Sequence, residues 1–567
     1  VGYPSPRQQK KSKPCSKNSP VNSLKVVENI VFKHKNRPYG IKIKFVPAMK
    51  NISTLLVVFL TLISSGSVKA IHFKEDESVT KKYTHATLSP YQKQVFEDFI
   101  NDEIPSGKKI GEVLTNKTSL RSKTRLAEAL LFRNKPGDKE NAAEILTWIL
   151  KNQHRDENTK IYGIWKTNID DDKFDQNWRE FIGCDLIIIR QKYSHLLPKD
   201  ILKEIEIGLV HAARGALKRN VGADYTNISI MSAFLMNYVG TEFNREELQL
   251  AGLKKAREVF NLYQSHKTFS EYNSPTYYGV TLVAIALWRE LALSSEIKQM
   301  GQTLEAAFWH EATTFYNPNL KNMPGPYFRG YGMDMQKYFS IMGIWIAIAV
   351  DNEKQAPMPS TTDGPKYGEM SNIAPIFNLG LSIPKADLAA LKSFTAPRFI
   401  SRAVPNKYFG DSLKQVTAMI QKDWMMGGVW GNRRSWNQIK TGAIHWKTAD
   451  GDVAWLLVPG NGKTNVRVSK TDMSLYLADI KATSIELYVS VKNAGVDSFA
   501  DNVWTLPAMT LNINTALKRV QTEKIDSALF EKEQAVSDPC ANVIKIVYQI
   551  PASWDVAKPL LEITPNK

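Results

Sequence analysis

The segment FSEYNSPTYYGVTL, residues 269–282, sets a carboxylate, an amide and three phenols beside one helix start. Ser274 is suited to cap that helix and Pro275 to fill its first turn, where a missing N–H costs nothing. Glu271, Tyr272 and Asn273 then stand at the helix mouth, with Tyr277 and Tyr278 in its early turns and Tyr278 on the side of Leu282. Free amides and the positive dipole end at such a mouth favour an anionic group. The plain alternative is a cap whose tyrosines fill a helix junction.

Two further segments could serve the same chemistry. In NVGADYTNISIM, residues 220–231, Asp224 or Thr226 is suited to cap a helix, leaving Asn227 in its first turn and free to approach Tyr278. Asn227-Ile-Ser229 is also a glycosylation sequon, as is Asn116-Lys-Thr118. In GPYFRGYGMDMQKYF, residues 325–339, Gly330 and Gly332 allow a tight path around Tyr331. There Arg329 could grip a carboxylate through two parallel N–H groups, and Asp334 could orient it or exchange a proton. A surface ion pair would explain both equally.

His445, between Ile444 and Trp446, and His211, in LVHAAR, are the histidines placed to move a proton. A histidine among apolar residues is more often structural. Asn177, Trp178 and Arg179 in DQNWREFIG offer a sugar platform, although a buried Trp reads the same way.

These residues need elements to position them. Residues 89–355 read as successive helices: Ser89-Pro90 opens one, Leu126, Leu130 and Leu131 line another, and Ile145, Leu146 and Ile149 a third. Helices recurring at short intervals bury their faces in a layered or circular arrangement, an incomplete (α/α) toroid or a stacked solenoid. Prolines and glycines in QAPMPSTTDGPKYG interrupt the pattern, making 356–399 a transition. Beyond residue 400 the period falls to two. GAIHWKTADGDVAWLLVPG holds two strands around Asp450-Gly451, and SIELYVSV, MTLNINTAL and NVIKIVYQI alternate likewise. The expected fold is α+β and multidomain: a toroid over 89–355, then an antiparallel β-sandwich over 400–567.

The N-terminal part reads differently. MKNISTLLVVFLTLISSGSVKA, residues 49–70, has a charged start, a short apolar run and a small-residue tail ending in Val68 and Ala70, the pattern of an export signal. Residues 1–48 form a basic extension, disordered or non-native, and 71–88 a linker. The expected setting is extracellular, without stable membrane insertion.

The +18 charge is concentrated at that end. Residues 1–70 hold 13 Lys and Arg against Glu28 alone, leaving 61 basic and 55 acidic residues beyond. That modest balance argues against a nucleic-acid binder and suits an acidic saccharide partner. Of Cys15, Cys184 and Cys540, the last two permit one inter-domain disulfide, while the apolar flanks of Cys184 read as a buried thiol. No metal-binding spacing appears and no cofactor is implied; a structural divalent cation stays open.

EYNSPTYYG at 271–279 and RGYGMDM at 329–335, within a helical-then-β chain, resemble the heparinase II/III-like and alginate-lyase-like polysaccharide lyases. The resemblance implies β-elimination on a uronic-acid polysaccharide. It would make Tyr278 the base, with its conjugate acid available to the leaving oxygen. Asn227 and Arg329 would hold the uronate, and His211 or His445 would assist. The Asn-His pairing familiar in those families is not evident. Two other readings stay open: a glycoside hydrolase using Glu271 and Asp334, and a noncatalytic carbohydrate-binding protein.

Overall fold

The computed structural model describes residues 78–170, 174–406, 412–432, 434–537 and 543–567. The extension 1–48, the export signal 49–70, Cys15, Cys540 and residues 71–77 of the linker lie outside the described residues.

After α1 (Pro90–Glu103), eight helices alternate between two layers. The inner ones are α2 (Leu120–Arg133), α4 (Trp178–Tyr193), α6 (Thr226–Glu242) and α8 (Pro275–Leu291). The outer ones are α3 (Asp138–Leu150), α5 (Lys199–Arg219), α7 (Glu246–His266) and α9 (Ser295–Phe315). Inner helices neighbour one another in the order α2, α4, α6, α8, and each outer helix covers the inner one before it. α8 also packs on α10 (Ile341–Val350) and α11 (Ile373–Leu379), and α11 returns to α2, closing most of a ring. Residue type explains the layering. α6 is apolar or small around its circumference and buried from Thr226 to Gly240, whereas α5 and α7 bury one stripe and expose charges opposite.

The helical body extends past the expected boundary at 355. Within the transition lie α11, β3 (Leu381–Pro384) and α12 (Lys385–Lys392). The described part of the linker is ordered too: β1 (Ser78–Lys81) pairs antiparallel with β3, Lys81 opposite Leu381. Partners remote in sequence supply both outcomes, which local composition does not show.

Beyond Lys392 the chain forms two antiparallel sheets. The larger runs β14 (Lys518–Ile525), β15 (Val543–Gln549), β11 (Ser484–Ser490), β8 (Val453–Pro459), β7 (Ile439–Lys447), β6 (Trp424–Trp430), β5 (Leu413–Ile420), β4 (Arg398–Pro405). The smaller runs β12 (Val503–Leu506), β13 (Met509–Asn514), β16 (Pro559–Asn566), β10 (Met473–Leu477), β9 (Thr464–Val468). Ile444, Trp446, Leu456 and Val458 face the smaller sheet, packing with Leu475, Leu511 and Leu561. Their neighbours Ala443, Trp455 and Leu457 join the core shared with the helices. The two-residue period of β7 and β8 thus makes the large sheet the middle layer of three. β2 (Tyr327–Phe328), from the helical half, pairs with Ile439 and Lys440 of β7 and ties the two halves together.

Cys184 is a free, buried thiol rather than half of a disulfide, its Sγ 3.8 Å from the Met231 carbonyl. Among the described residues no helix is long and apolar enough to cross a membrane.

Candidate active site

The inner helices α4, α6 and α8 begin at one end of the ring, and the loops there carry the polar cluster. Ser274 caps α8 as its type suggests, accepting from Tyr277 N at 3.0 Å. Its hydroxyl also donates to the Arg329 carbonyl at 2.8 Å, fastening the Arg329 loop to the helix mouth. Asn273 donates from Nδ2 to the carbonyls of Pro324 and Pro326, holding the same loop from behind. The cap expected on α6 is absent: Tyr225 is the N-cap residue and neither Asp224 nor Thr226 supplies a side-chain cap. Asn227 is free to act elsewhere because the helix does not use it.

Asn227 Nδ2 donates to Glu271 Oε2 at 2.8 Å, and Arg329 Nη1 pairs with Glu271 Oε1 at 3.2 Å. Arg329 Nη2 donates to the Tyr277 hydroxyl and, at 3.3 Å, to that of Tyr331. The Arg329 guanidinium lies 3.7 Å from the Tyr277 ring centre and 5.1 Å from that of Trp436, and its Nε lies 3.3 Å from Gln438 Oε1. Asn227, Glu271, Tyr277, Arg329 and Tyr331 are therefore one constellation, with the guanidinium at its centre. Tyr225 borders it: Asn177 Nδ2 donates to the Tyr225 hydroxyl at 3.2 Å and Arg219 holds Asn177 Oδ1 at 2.9 Å. Burial raises the Tyr225 phenol, with Glu271 adding to the rise and Asn177, Arg329 and Arg219 opposing it.

A shallow cleft opens beside the cluster, between the helical half and the sheet. Ser270, Glu271, Phe328 and Arg329 line one wall; Lys414, Asn432, Arg434 and Trp436 line the other. Arg434 lies over Trp436 at 4.1 Å. The cleft presents an aromatic face and three cationic side chains, a combination suited to an acidic sugar.

Several expected site residues sit elsewhere. Tyr278 is 1 % exposed and turns away from the cluster, its hydroxyl donating to Glu311 Oε1 on α9 at 2.8 Å. Adjacent positions on a helix diverge by about 100°, so Tyr277 and Tyr278 cannot share one face. Burial, and then the Glu311 charge, push the Tyr278 phenol well above its ordinary range. Tyr272 is buried between Phe315 and Phe328. Asp334 is buried under the sheet junction, accepting from Gln336 N at 3.0 Å with Lys337 at 3.8 Å. Burial lifts its carboxyl to about 6. It shares no contact with Glu271 among the described residues, so these four candidates divide: Glu271 and Arg329 meet at the cluster, and Tyr278 and Asp334 do not.

His445 points from β7 into the helix–sheet core, Nε2 3.0 Å from the Met333 carbonyl. Burial lowers it to about 4, and it is neutral near pH 7. His211 lies on the outer helix α5, not toward the ring interior, with Nδ1 2.9 Å from the Tyr162 hydroxyl. Burial lowers it, and Arg155 adds to the shift. Arg179 is buried and donates to the Gly215 carbonyl at 2.6 Å, pinning α4 to α5. Trp178 carries Arg121 at 5.5 Å from its ring centre. Asn227 is buried and bonded to Glu271, a position closed to a glycan in the folded chain.

Sequence reasoning missed Tyr225, Lys414, Arg434 and Trp436. Arg434-Ser-Trp436, a cation and an aromatic between two strands, was the available signal; nothing local marks Lys414. Among the described residues no group of His, Cys, Asp and Glu could hold a metal ion.

Residues 108–381 match a family described as a domain of unknown function, DUF8769. No curated protein matches the chain. Among solved structures the chain is similar to the Streptomyces coelicolor A3 chondroitin AC lyase in complex with chondroitin sulphate, at 9% identity and a TM-score of 0.42, covering 86% of this chain and 80% of that one. It is similar also to a heparinase III, at 11% identity and a TM-score of 0.35, covering 86% of each chain. Roles for individual residues here rest on the geometry of this chain.

Proposed function

We propose that the protein is a polysaccharide lyase that cleaves a uronic-acid-containing chain by β-elimination at the cleft beside Arg329. The observation that carries this reading is the Arg329 guanidinium, held between the Glu271 carboxylate and the paired phenols of Tyr277 and Tyr331. Elimination requires removal of the proton beside a carboxylate, which is hard until that carboxylate's charge is offset. In this reading Arg329, with the Asn227 amide, offsets it. Tyr277 removes the proton, the neighbouring guanidinium stabilising charge on its oxygen during transfer. The same phenol, or Tyr331 with its hydroxyl 3.3 Å away, returns a proton to the leaving oxygen. Glu271 keeps Arg329 and Asn227 in register.

Hydrolysis through Glu271 and Asp334 has less support, because Asp334 is buried in a set of contacts separate from those of Glu271. The test is a panel of alginate, glucuronan, pectic and glycosaminoglycan substrates read by ultraviolet absorbance and product mass. Elimination creates an unsaturated uronyl end without added water. Products heavier by one water would refute it, and binding without turnover would leave a carbohydrate-binding protein. Export belongs to the same proposal and rests on the Met49–Ala70 pattern. N-terminal sequencing of secreted product should begin near Ile71; product retaining residues 1–48 would refute the processing.

A further inference from the structure

The wall of the cleft opposite Glu271 holds a cation that elimination does not use. Lys414, at the start of β5, is 6 % exposed, and its Nζ lies 3.5 Å from the centre of the Phe328 ring. No described carboxylate or carbonyl accepts from it, so its charge is offset only by the face of an aromatic ring. An amine buried in this way is costly while charged. Asn406, also in the wall, is 4 % exposed, and its Nδ2 has no acceptor among the described residues. Arg434 lines the same wall. A lysine, an amide and a guanidinium thus converge on one space, all as donors.

We propose that Lys414, Asn406 and Arg434 form a second anion subsite, which takes a carboxylate or sulfate on the sugar next to the uronate held by Arg329. The inference rests on the elimination reading and narrows its substrate to a chain carrying anionic groups on neighbouring sugars. An oxyanion there supplies the acceptors that Lys414 and Asn406 lack, through charge-assisted hydrogen bonds. Burial, reinforced by Arg434, pushes the Lys414 amine down to about 7. Among the described residues the charged groups lining the cleft with it are Arg434, from the segment between β6 and β7, and Glu271 and Arg329 from the helical wall, and Glu271 is already engaged by Asn227 and Arg329. The anion should therefore bind with proton uptake and weaken as pH rises above about 7.

The test uses the full chain, Lys414→Met, which keeps length and the contact with Phe328, and Lys414→Arg, which restores charge. Two readouts are independent. The first is thermal stabilisation by inorganic sulfate against chloride at matched ionic strength. The second is calorimetric affinity for three hexasaccharides: glucuronan, with a carboxylate on every sugar; unsulfated chondroitin, with one on alternate sugars; and its sulfated form. Lys414→Met should abolish the sulfate-specific stabilisation and weaken one densely charged ligand by about tenfold. Unsulfated chondroitin should be little affected, and Lys414→Arg should recover much of the loss. Loss for glucuronan identifies a neighbouring carboxylate as the occupant, and loss for sulfated chondroitin a sulfate ester. Equal sulfate stabilisation in parent and variant, or equal weakening of all three ligands, would overturn the subsite. If the parent binds no uronate while Lys414→Met still loses the sulfate effect, the subsite stands and elimination falls. If the parent eliminates uronates and Lys414→Met matches it throughout, the reverse holds.

Discussion

Replacing Tyr277 and Tyr278 separately with Phe distinguishes the phenol held against Arg329 from one in the core. Tyr278 donates to Glu311 Oε1 at 2.8 Å, and the same carboxylate receives Arg402 Nη1 at 3.0 Å and Thr268 Oγ1 at 2.5 Å. Glu311 Oε2 is buried without a partner. Burial raises the Glu311 carboxyl, and Arg402, Thr268 and Tyr278 oppose the rise. Tyr278→Phe removes one donor from a buried carboxylate, and a hydrogen bond to a charged group contributes about 1.5–3 kcal/mol. The variant should be less stable by that amount where Glu311 is ionised. The sign follows from the raised carboxyl: losing the donor raises it further, so the deficit is full above the folded-state value and shrinks as pH falls through it. Denaturant unfolding at neutral and acid pH measures both. Below its melting temperature Tyr278→Phe should retain elimination activity. Tyr277→Phe should change stability less, being partly exposed, yet lower kcat by about 10²–10⁴ if its hydroxyl carries the proton. The reasoning fails if Tyr278→Phe, still folded, abolishes elimination while Tyr277→Phe preserves it; Tyr278 would then be the base despite its burial.

His445 is held down to about 4, so its folded-state value lies below the unfolded one and its contribution to stability is present above about 6.5 and lost on acidification toward 4. Its ring resonances should show the neutral form down to about pH 5, and titration near 6.5 in the native state would contradict its placement. Gly279 lies where α8 meets the start of α10, and an added Cβ would stand 2.3 Å from the Ile341 carbonyl carbon. Gly279→Ala should therefore destabilise by about 1–3 kcal/mol or more in denaturant unfolding, since backbone must move; a neutral effect would mean the two helices separate easily.

Much of the architecture was legible because its signals are local. Ser89-Pro90 and Ser274-Pro275 cap α1 and α8 where the residue types require. The alternation through Ile485, Leu487 and Val489 lies in β11, and Asp450-Gly451 forms the turn between β7 and β8, with Gly451 at φ +89°. The pairing of Glu271 with Arg329 was approached from motif composition but required the fold to bring residues 58 apart into contact. What the sequence determined by itself was the succession of helices and strands, since caps, turns and periodicity act within a few residues. Which of two adjacent tyrosines meets Arg329 was decided by tertiary structure, because a helix's rotation is set by the faces packed against it. The same holds for β1 on β3, for the burial of His445 and Asp334, and for Lys414 opposite Glu271. Each depends on elements distant in sequence, whose mutual placement follows from burial of a shared core rather than from any local pattern.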